Sequence, residues 1–346
     1  MENFIDLHLH LDGSLSEFTI KSLMEFQYRQ LTDSQKILLE NPDALSAALR
    51  APVDCNSLAE YLTKFDLPCS LLQSPEAMYY ATVDLLSELA DEGVKYVEIR
   101  FAPQLHSLKY QNSEKERLAY ERAIVKAVID ARMTVSSIKS NFILCCMRNI
   151  PDRKKLGYDP NYNTLLLAEE FLGKGVVAVD LAGAEARDET EAFNSLFEKA
   201  REMKIPFTIH AGEAGETEWR LNSLRSAIKF GAKRIGHGIA LEHSYEMRKF
   251  CKLNNIGIEC CPVSNLQTKA VVGGIEKHPI LTFLEEDMLV SVNTDNRTVS
   301  NTNLKKEFEL LATVGVGKKG VEQLNRNAIE MSFADEATKQ WLRTLK

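Results

Sequence analysis

The chemistry of this chain starts with two histidines. In Phe4-Ile5-Asp6-Leu7-His8-Leu9-His10 apolar and polar residues alternate as in a strand, with Ile5, Leu7 and Leu9 on one face and Asp6, His8 and His10 on the other. The imidazoles then point the same way, about 7 Å apart, as half of a metal site. Alone, H-x-H describes core histidines more often than ligands. Three further stretches shift that balance, since each follows a short apolar run with metal-binding or acid–base residue types: His210-Ala211-Gly212-Glu213, Gly236-His237-Gly238 and Asn293-Thr294-Asp295-Asn296. Neutral imidazoles with one carboxylate suit a single divalent first-row ion, Zn2+ first, with iron, cobalt or manganese also accommodated. Such an ion brings the pKa of a bound water to about 7. Glu213 could then give a proton to a substrate ring nitrogen, provided burial keeps it protonated; the plain alternative is a carboxylate at a helix N-terminus. His237, between glycines, could orient the attacking oxygen or take its proton. His106, in a loop after a strand, and His243 and His278, read as helix-start or surface residues, receive no role.

The elements that must position these groups follow a regular rhythm. Besides Phe4 to His10, apolar β-rich runs occur at 96–102, 141–147, 176–181, 207–211, 234–237, 257–261 and 289–294, which makes eight. Amphipathic segments separate them; between Glu216 and Phe230, Trp219, Leu221, Leu224, Ala227, Ile228 and Phe230 recur at helical steps before Gly231. Eight strands alternating with helices predict an α/β fold, a (β/α)8 or TIM barrel, in one domain over residues 1–346. A doubly wound sheet is the alternative, but no G-x-G-x-x-G follows the first strand. A helix-rich insertion spans about 14–92, its last helix opened by Ser74 and Pro75 and closed at Gly93; the tail from Gly317 is a helical cap. A barrel gathers its active site at the C-terminal strand ends, which is where the reactive residues fall.

Composition narrows the partners. A net charge of −7 and the lack of clustered Lys and Arg argue against nucleic acid. No apolar run has the length of a membrane span and no leader precedes the first strand, so cytoplasmic residence is expected, with no membrane partner. Seven cysteines, including the neighbours Cys145-Cys146 and Cys260-Cys261, are expected as buried free thiols.

At this point the chain resembles the adenosine deaminase family. The resemblance rests on Phe4 to Ser14, Asp180-Leu181-Ala182-Gly183, His210-Ala211-Gly212-Glu213, Gly236-His237-Gly238, Cys261-Pro262-Val263-Ser264-Asn265 and Asn293-Thr294-Asp295-Asn296, in family order along nearly the whole chain. It implies metal ligands His8, His10, His210 and Asp295. Glu213 would protonate purine N1, and His237 with Asp295 would hold the hydroxide that attacks C6 of adenosine or 2′-deoxyadenosine, releasing ammonia and leaving inosine or deoxyinosine, a purine-salvage reaction. Gly183 would meet purine N3, Asp12 the ribose 5′-hydroxyl and Asn296 purine N7, with His10 also beside the substrate. Where animal members carry a second aspartate this chain has Asn296, whose NH2 donates to N7 without needing protonation. The run Val176 to Leu181 has no lysine to carbamylate, so one metal is expected. Leu58, Leu62, Phe65 and Leu67 of the insertion would form a lid, with Asp180 and Ser264 behind the site. Rival readings are a deaminase of adenine or another 6-aminopurine such as N6-methyl-AMP, and a barrel that binds purines without catalysis. The oligomeric state is not legible.

Overall fold

In a computed structural model the chain is described over residues 3–52, 54–110, 113–148, 158–185 and 189–345. Eight strands alternate with helices: β1 Phe4–His10, β2 Val94–Phe101, β3 Lys139–Met147, β4 Val176–Ala182, β5 Thr208–Ala211, β6 Arg234–His237, β7 Gly257–Cys260 and β8 Val290–Val292. All pair in parallel, β1 to β4 and β5 to β8 in sequential order. Two single bridges close the ring, Val179 to Phe207 and Leu9 to Asp295. At the second seam the His10 N–H donates to the Asp295 carbonyl and the Asp295 N–H to the His8 carbonyl, both at 2.8 Å. The expected (β/α)8 barrel is thus the observed one.

Its strands are short and apolar because both faces are covered. Outward residues such as Leu9, Val97, Leu144, Val179 and Ile209 join one continuous core with the surrounding helices. Inward positions break that pattern with charge. Arg100 spans Asp180 (3.0 Å) and Glu259 (2.9 Å), and Arg234 spans Glu259 and Glu98 (2.5 Å each), all fully buried. Two guanidiniums face three carboxylates, so the layer beneath the barrel mouth is net negative, which favours a cation above it.

Among the described residues between β1 and β2 lie six α-helices, Glu17–Phe26, Asp33–Glu40, Pro42–Leu49, Leu58–Leu62, Asp66–Leu71 and Pro75–Asp91. The last begins as its sequence predicts, the Ser74 hydroxyl accepting from the Ala77 N–H, and is followed by Gly93 at φ 89°. After β5 the helix Thr217–Phe230 ends at left-handed Gly231. Helix Lys318–Met331 packs Ala328, Ile329 and Met331 on Ile5 and Leu7 of β1, and Glu336–Thr344 adds Leu342 to the same cluster. Phe333 between them lies 4.0 Å under the Arg234 guanidinium, closing the bottom of the barrel. All seven cysteines are free.

Candidate active site

The donors meet where the strands end. His8 and His10 sit on β1, His210 on β5 and His237 on β6, while Asp295 follows β8. His237 and Asp295 take φ of 63° and 57°, a left-handed conformation that costs a non-glycine residue about 1–3 kcal/mol and recurs at functional sites. The Nε2 atoms of His8 and His10 each lie 3.4 Å from Asp295 Oδ1. His10 Nε2 is also 3.3 Å from His210 Nε2. One donor atom each from His8, His210, His237 and Asp295 falls within a 4.8 Å cluster. Gly236 gives His8 room here, since a Cβ on it would stand 3.0 Å from His8 Cε1, closer than ordinary van der Waals contact.

What lies behind the imidazoles determines which way their lone pairs face. His8 Nδ1 is 2.7 Å from Glu259 Oε2 and His210 Nδ1 is 2.9 Å from Asp180 Oδ2, so both outer nitrogens carry the proton and both Nε2 lone pairs face the cluster. His8 Nε2 is buried without any hydrogen bond. Burial holds His10 well below the usual histidine range, hence neutral. The Ser264 hydroxyl donates to Asp295 Oδ2 at 2.6 Å, and Oδ1 is turned toward the imidazoles of His8 and His10. Clustered imidazoles, one carboxylate and an orphaned buried nitrogen fit a divalent first-row ion.

Beside the donors lies a cavity of about 590 Å³, in the range of small-molecule sites. Glu213 enters it from the loop after β5. The nearest helix starts only at Thr217, so the carboxylate-at-a-helix-start alternative does not apply. Its Oε2 is 3.5 Å from His237 Nε2 and its Oε1 is buried without a hydrogen bond. Burial first, then the charges of Asp295 and Glu185, push the Glu213 carboxyl up to about 8. A carboxylic acid with its proton at neutral pH therefore faces the donor cluster.

The structure brings most of the sequence-predicted residues to this cavity. Asp12, Leu58, Leu62, Phe65, Gly183 and Asn296 all line it together with His10, His210, His237 and Asp295. Asp12 is buried, which raises its carboxyl to about 6, and accepts from the Cys69 thiol at 3.4 Å. Asp180 and Ser264 stand behind His210 and Asp295. Two readings need correction. Leu67 packs into the main core instead of lining the cavity, because it falls on the inner face of helix Asp66–Leu71. His278 is a buried residue, not a surface one; its Nδ1 accepts from the Ile280 N–H and its Nε2 reaches Asn265.

Several functional residues went unread. Glu259, Arg100 and Arg234 were visible as charges at inward positions of otherwise apolar strands. Glu185 accepts the N–H groups of Gly212 (2.6 Å), Glu213 and Ala214 (2.8 Å each), fastening the loop that carries the acid, and Asn265 stands behind His237. Two guanidiniums also reach the cavity wall. Arg117 binds Glu121, Ser107 and the Gln104 carbonyl; Arg148 donates to the His210 carbonyl. Arg297, next in the chain to Asn296, pairs with Glu88 and Glu92.

A parallel barrel with histidine and aspartate donors at its C-terminal mouth and a protonated glutamic acid beside them is the architecture of a metal-assisted hydrolase. The family model for adenosine deaminase matches residues 4–345, and the chain belongs to that family. A protein named adenosine deaminase from Haemophilus ducreyi is 40% identical over 342 residues, 98% of this chain and 94% of that protein. Among solved structures, an N6-mAMP deaminase from Arabidopsis superposes with a TM-score of 0.79 at 24% identity, covering 99% of this chain and 96% of that one. The adenine deaminase of Arthrobacter aurescens gives 0.80 at 22%, covering 99% and 97%. At such identities the two structures speak for the fold alone. No described helix is long and apolar enough to cross a membrane.

Proposed function

We propose that this chain catalyses the hydrolytic deamination of adenosine and 2′-deoxyadenosine, water and the 6-aminopurine giving the 6-oxo product and ammonia. The observation that carries the reading is the buried Glu213 carboxyl, which enters the cavity beside the donor cluster with Oε2 3.5 Å from His237 Nε2 and Oε1 without a hydrogen bond. His8, His10, His210 and Asp295 would hold a single divalent ion, Zn2+ by the nitrogen-rich donor set, which would supply the Lewis acid that makes water nucleophilic near pH 7. Glu213 binds purine N1 and delivers its proton there, raising the electrophilicity of C6. His237 and Asp295 orient the attacking oxygen. Asn296 donates to N7, the Gly183 backbone meets N3 and Asp12 accepts from the ribose 5′-hydroxyl. Leu58, Leu62 and Phe65 in the cavity wall support the insertion as a lid that keeps water out, with the whole chain acting as one catalytic unit.

A nucleoside suits the cavity better than a nucleotide. Asp12 and Asp66 present carboxylates in its wall, while Arg117 and Arg148 are engaged with protein acceptors. The reading places the enzyme among soluble cytoplasmic ones, without nucleic-acid or membrane partners. Glu213→Gln is the test: the variant keeps its metal and binds purine riboside, while kcat for adenosine falls by about 10² or more. Unchanged kcat would remove Glu213 from the mechanism, and faster turnover of adenine or AMP than of adenosine would overturn the substrate.

A further inference from the structure

His237 differs from its neighbours in what stands behind it. His8 and His210 have carboxylates at Nδ1, but His237 Nδ1 is 3.0 Å from the side-chain amide nitrogen of Asn265. The orientation of that amide is settled by the backbone, because its Oδ1 accepts the Cys261 N–H at 3.2 Å and an NH2 group could not. The NH2 end therefore faces His237. An NH2 only donates, so His237 Nδ1 must accept, and in a neutral imidazole the proton then sits on Nε2. His278 supports the same arrangement. Its Nδ1 accepts from the Ile280 N–H at 3.2 Å, so its own Nε2–H points at Asn265 Oδ1, 3.3 Å away. Two backbone N–H groups, that of Ile280 at His278 and that of Cys261 at the central Asn265, thus set the proton positions of the chain His278–Asn265–His237.

We propose that Asn265 and His278 are positioning residues that hold His237 as its neutral Nε2–H tautomer, making it a hydrogen-bond donor to the reacting oxygen and neither a metal ligand nor the base that deprotonates water. The role of that donor rests on the deaminase reading; the tautomer rests on the hydrogen bonds alone. Distance by itself does not separate these histidines, since His237 lies in the same 4.8 Å cluster as His8 and His210. The groups behind them do. Carboxylates turn the Nε2 lone pairs of His8 and His210 inward, and the amide turns an N–H inward at His237.

The test is 15N NMR of the zinc-loaded protein labelled at histidine, with the His237 signals assigned by their loss in His237→Gln. The expected spectrum has a protonated Nε2 and an unprotonated Nδ1 at His237, and the reverse tautomer at His8 and His210. Asn265→Asp replaces the donor by an acceptor, so the His237 pattern inverts and kcat falls about 10- to 100-fold with metal content retained. His278→Leu lowers kcat as well, and His278→Gln, which keeps a donor against Oδ1, restores it. A proton on His237 Nδ1 in the parent protein overturns the proposal whether or not the variants fold. Because the tautomer is read without substrate, its failure is distinct from a failure of the adenosine assignment, which the substrate comparison decides.

Discussion

At the scale of single residues the site depends on close approach as much as on reactive groups. Gly13 is the clearest case: a Cβ there would stand 2.0 Å from Asn296 Oδ1 and 2.7 Å from its Cγ. Any side chain at position 13 drives Asn296 from its place in the cavity wall. Gly13→Ala should therefore raise KM for adenosine while leaving the metal bound. If the lost contact is one ordinary hydrogen bond, the rise is about five- to tenfold. Steady-state kinetics with metal analysis check it, and an unchanged KM would separate Asn296 from substrate recognition. The motif was plain in the sequence, but its glycine could be explained only with the fold in hand, since Asn296 is far from it in the chain and adjacent only through the β1–β8 seam.

At the scale of elements, the eight strands were legible because short apolar runs recur between amphipathic segments; Phe4–His10 and Arg234–His237 keep their expected bounds. The eighth run was read as 289–294 but the strand is only Val290–Val292, since the Asn293 and Thr294 side chains turn to Leu7, Asp6 and Ser291. The reactive ends could be read because residue type and position coincide there. The groups behind them were harder to read: Glu185 lies in a connecting segment whose path no periodicity describes, and Asn265, though inside the motif Cys261 to Asn265, shows its role only through its contact with His237. Glu185 shows what such a segment contributes. Its carboxylate gathers three successive N–H groups of the post-β5 loop, and its charge helps raise the Glu213 carboxyl to about 8. In Glu185→Gln one acceptor oxygen becomes a donor facing N–H groups, which costs about 1–3 kcal/mol of stability. With the charge gone the Glu213 pKa falls. Since the protonated acid is the active form, activity present at low pH is then lost at a lower pH than in the parent as pH rises. A pH–rate profile measures the displacement; an alkaline limb that stays in place, or moves upward, would refute the link.

At the scale of the whole molecule the barrel is closed by single bridges at two seams, and the donor cluster sits on one of them. The seam between β8 and β1 is held by reciprocal hydrogen bonds between Asp295 and the His8–His10 segment. His210 belongs to the other half, β5 to β8, while Asp180, its partner, belongs to β4. An ion held by His8, His10, His210 and Asp295 would therefore tie β1 to β5 and β8, joining both halves across the barrel mouth. Below it the layer of Arg100 and Arg234 with Glu98, Asp180 and Glu259 is fully buried and holds one more carboxylate than guanidinium, so a cation above it is attracted with little solvent screening. Metal removal should consequently act on stability as well as on turnover. At a free ion concentration about a hundred times Kd, binding to the folded state alone contributes about 2.7 kcal/mol, enough to move the melting temperature by several degrees. The chelated protein should melt lower by that margin and exchange the amide hydrogens of His10 and Asp295 faster, with both effects reversed by stoichiometric Zn2+. If elemental analysis shows the ion gone while melting and exchange are unchanged, the cluster does not brace the seam.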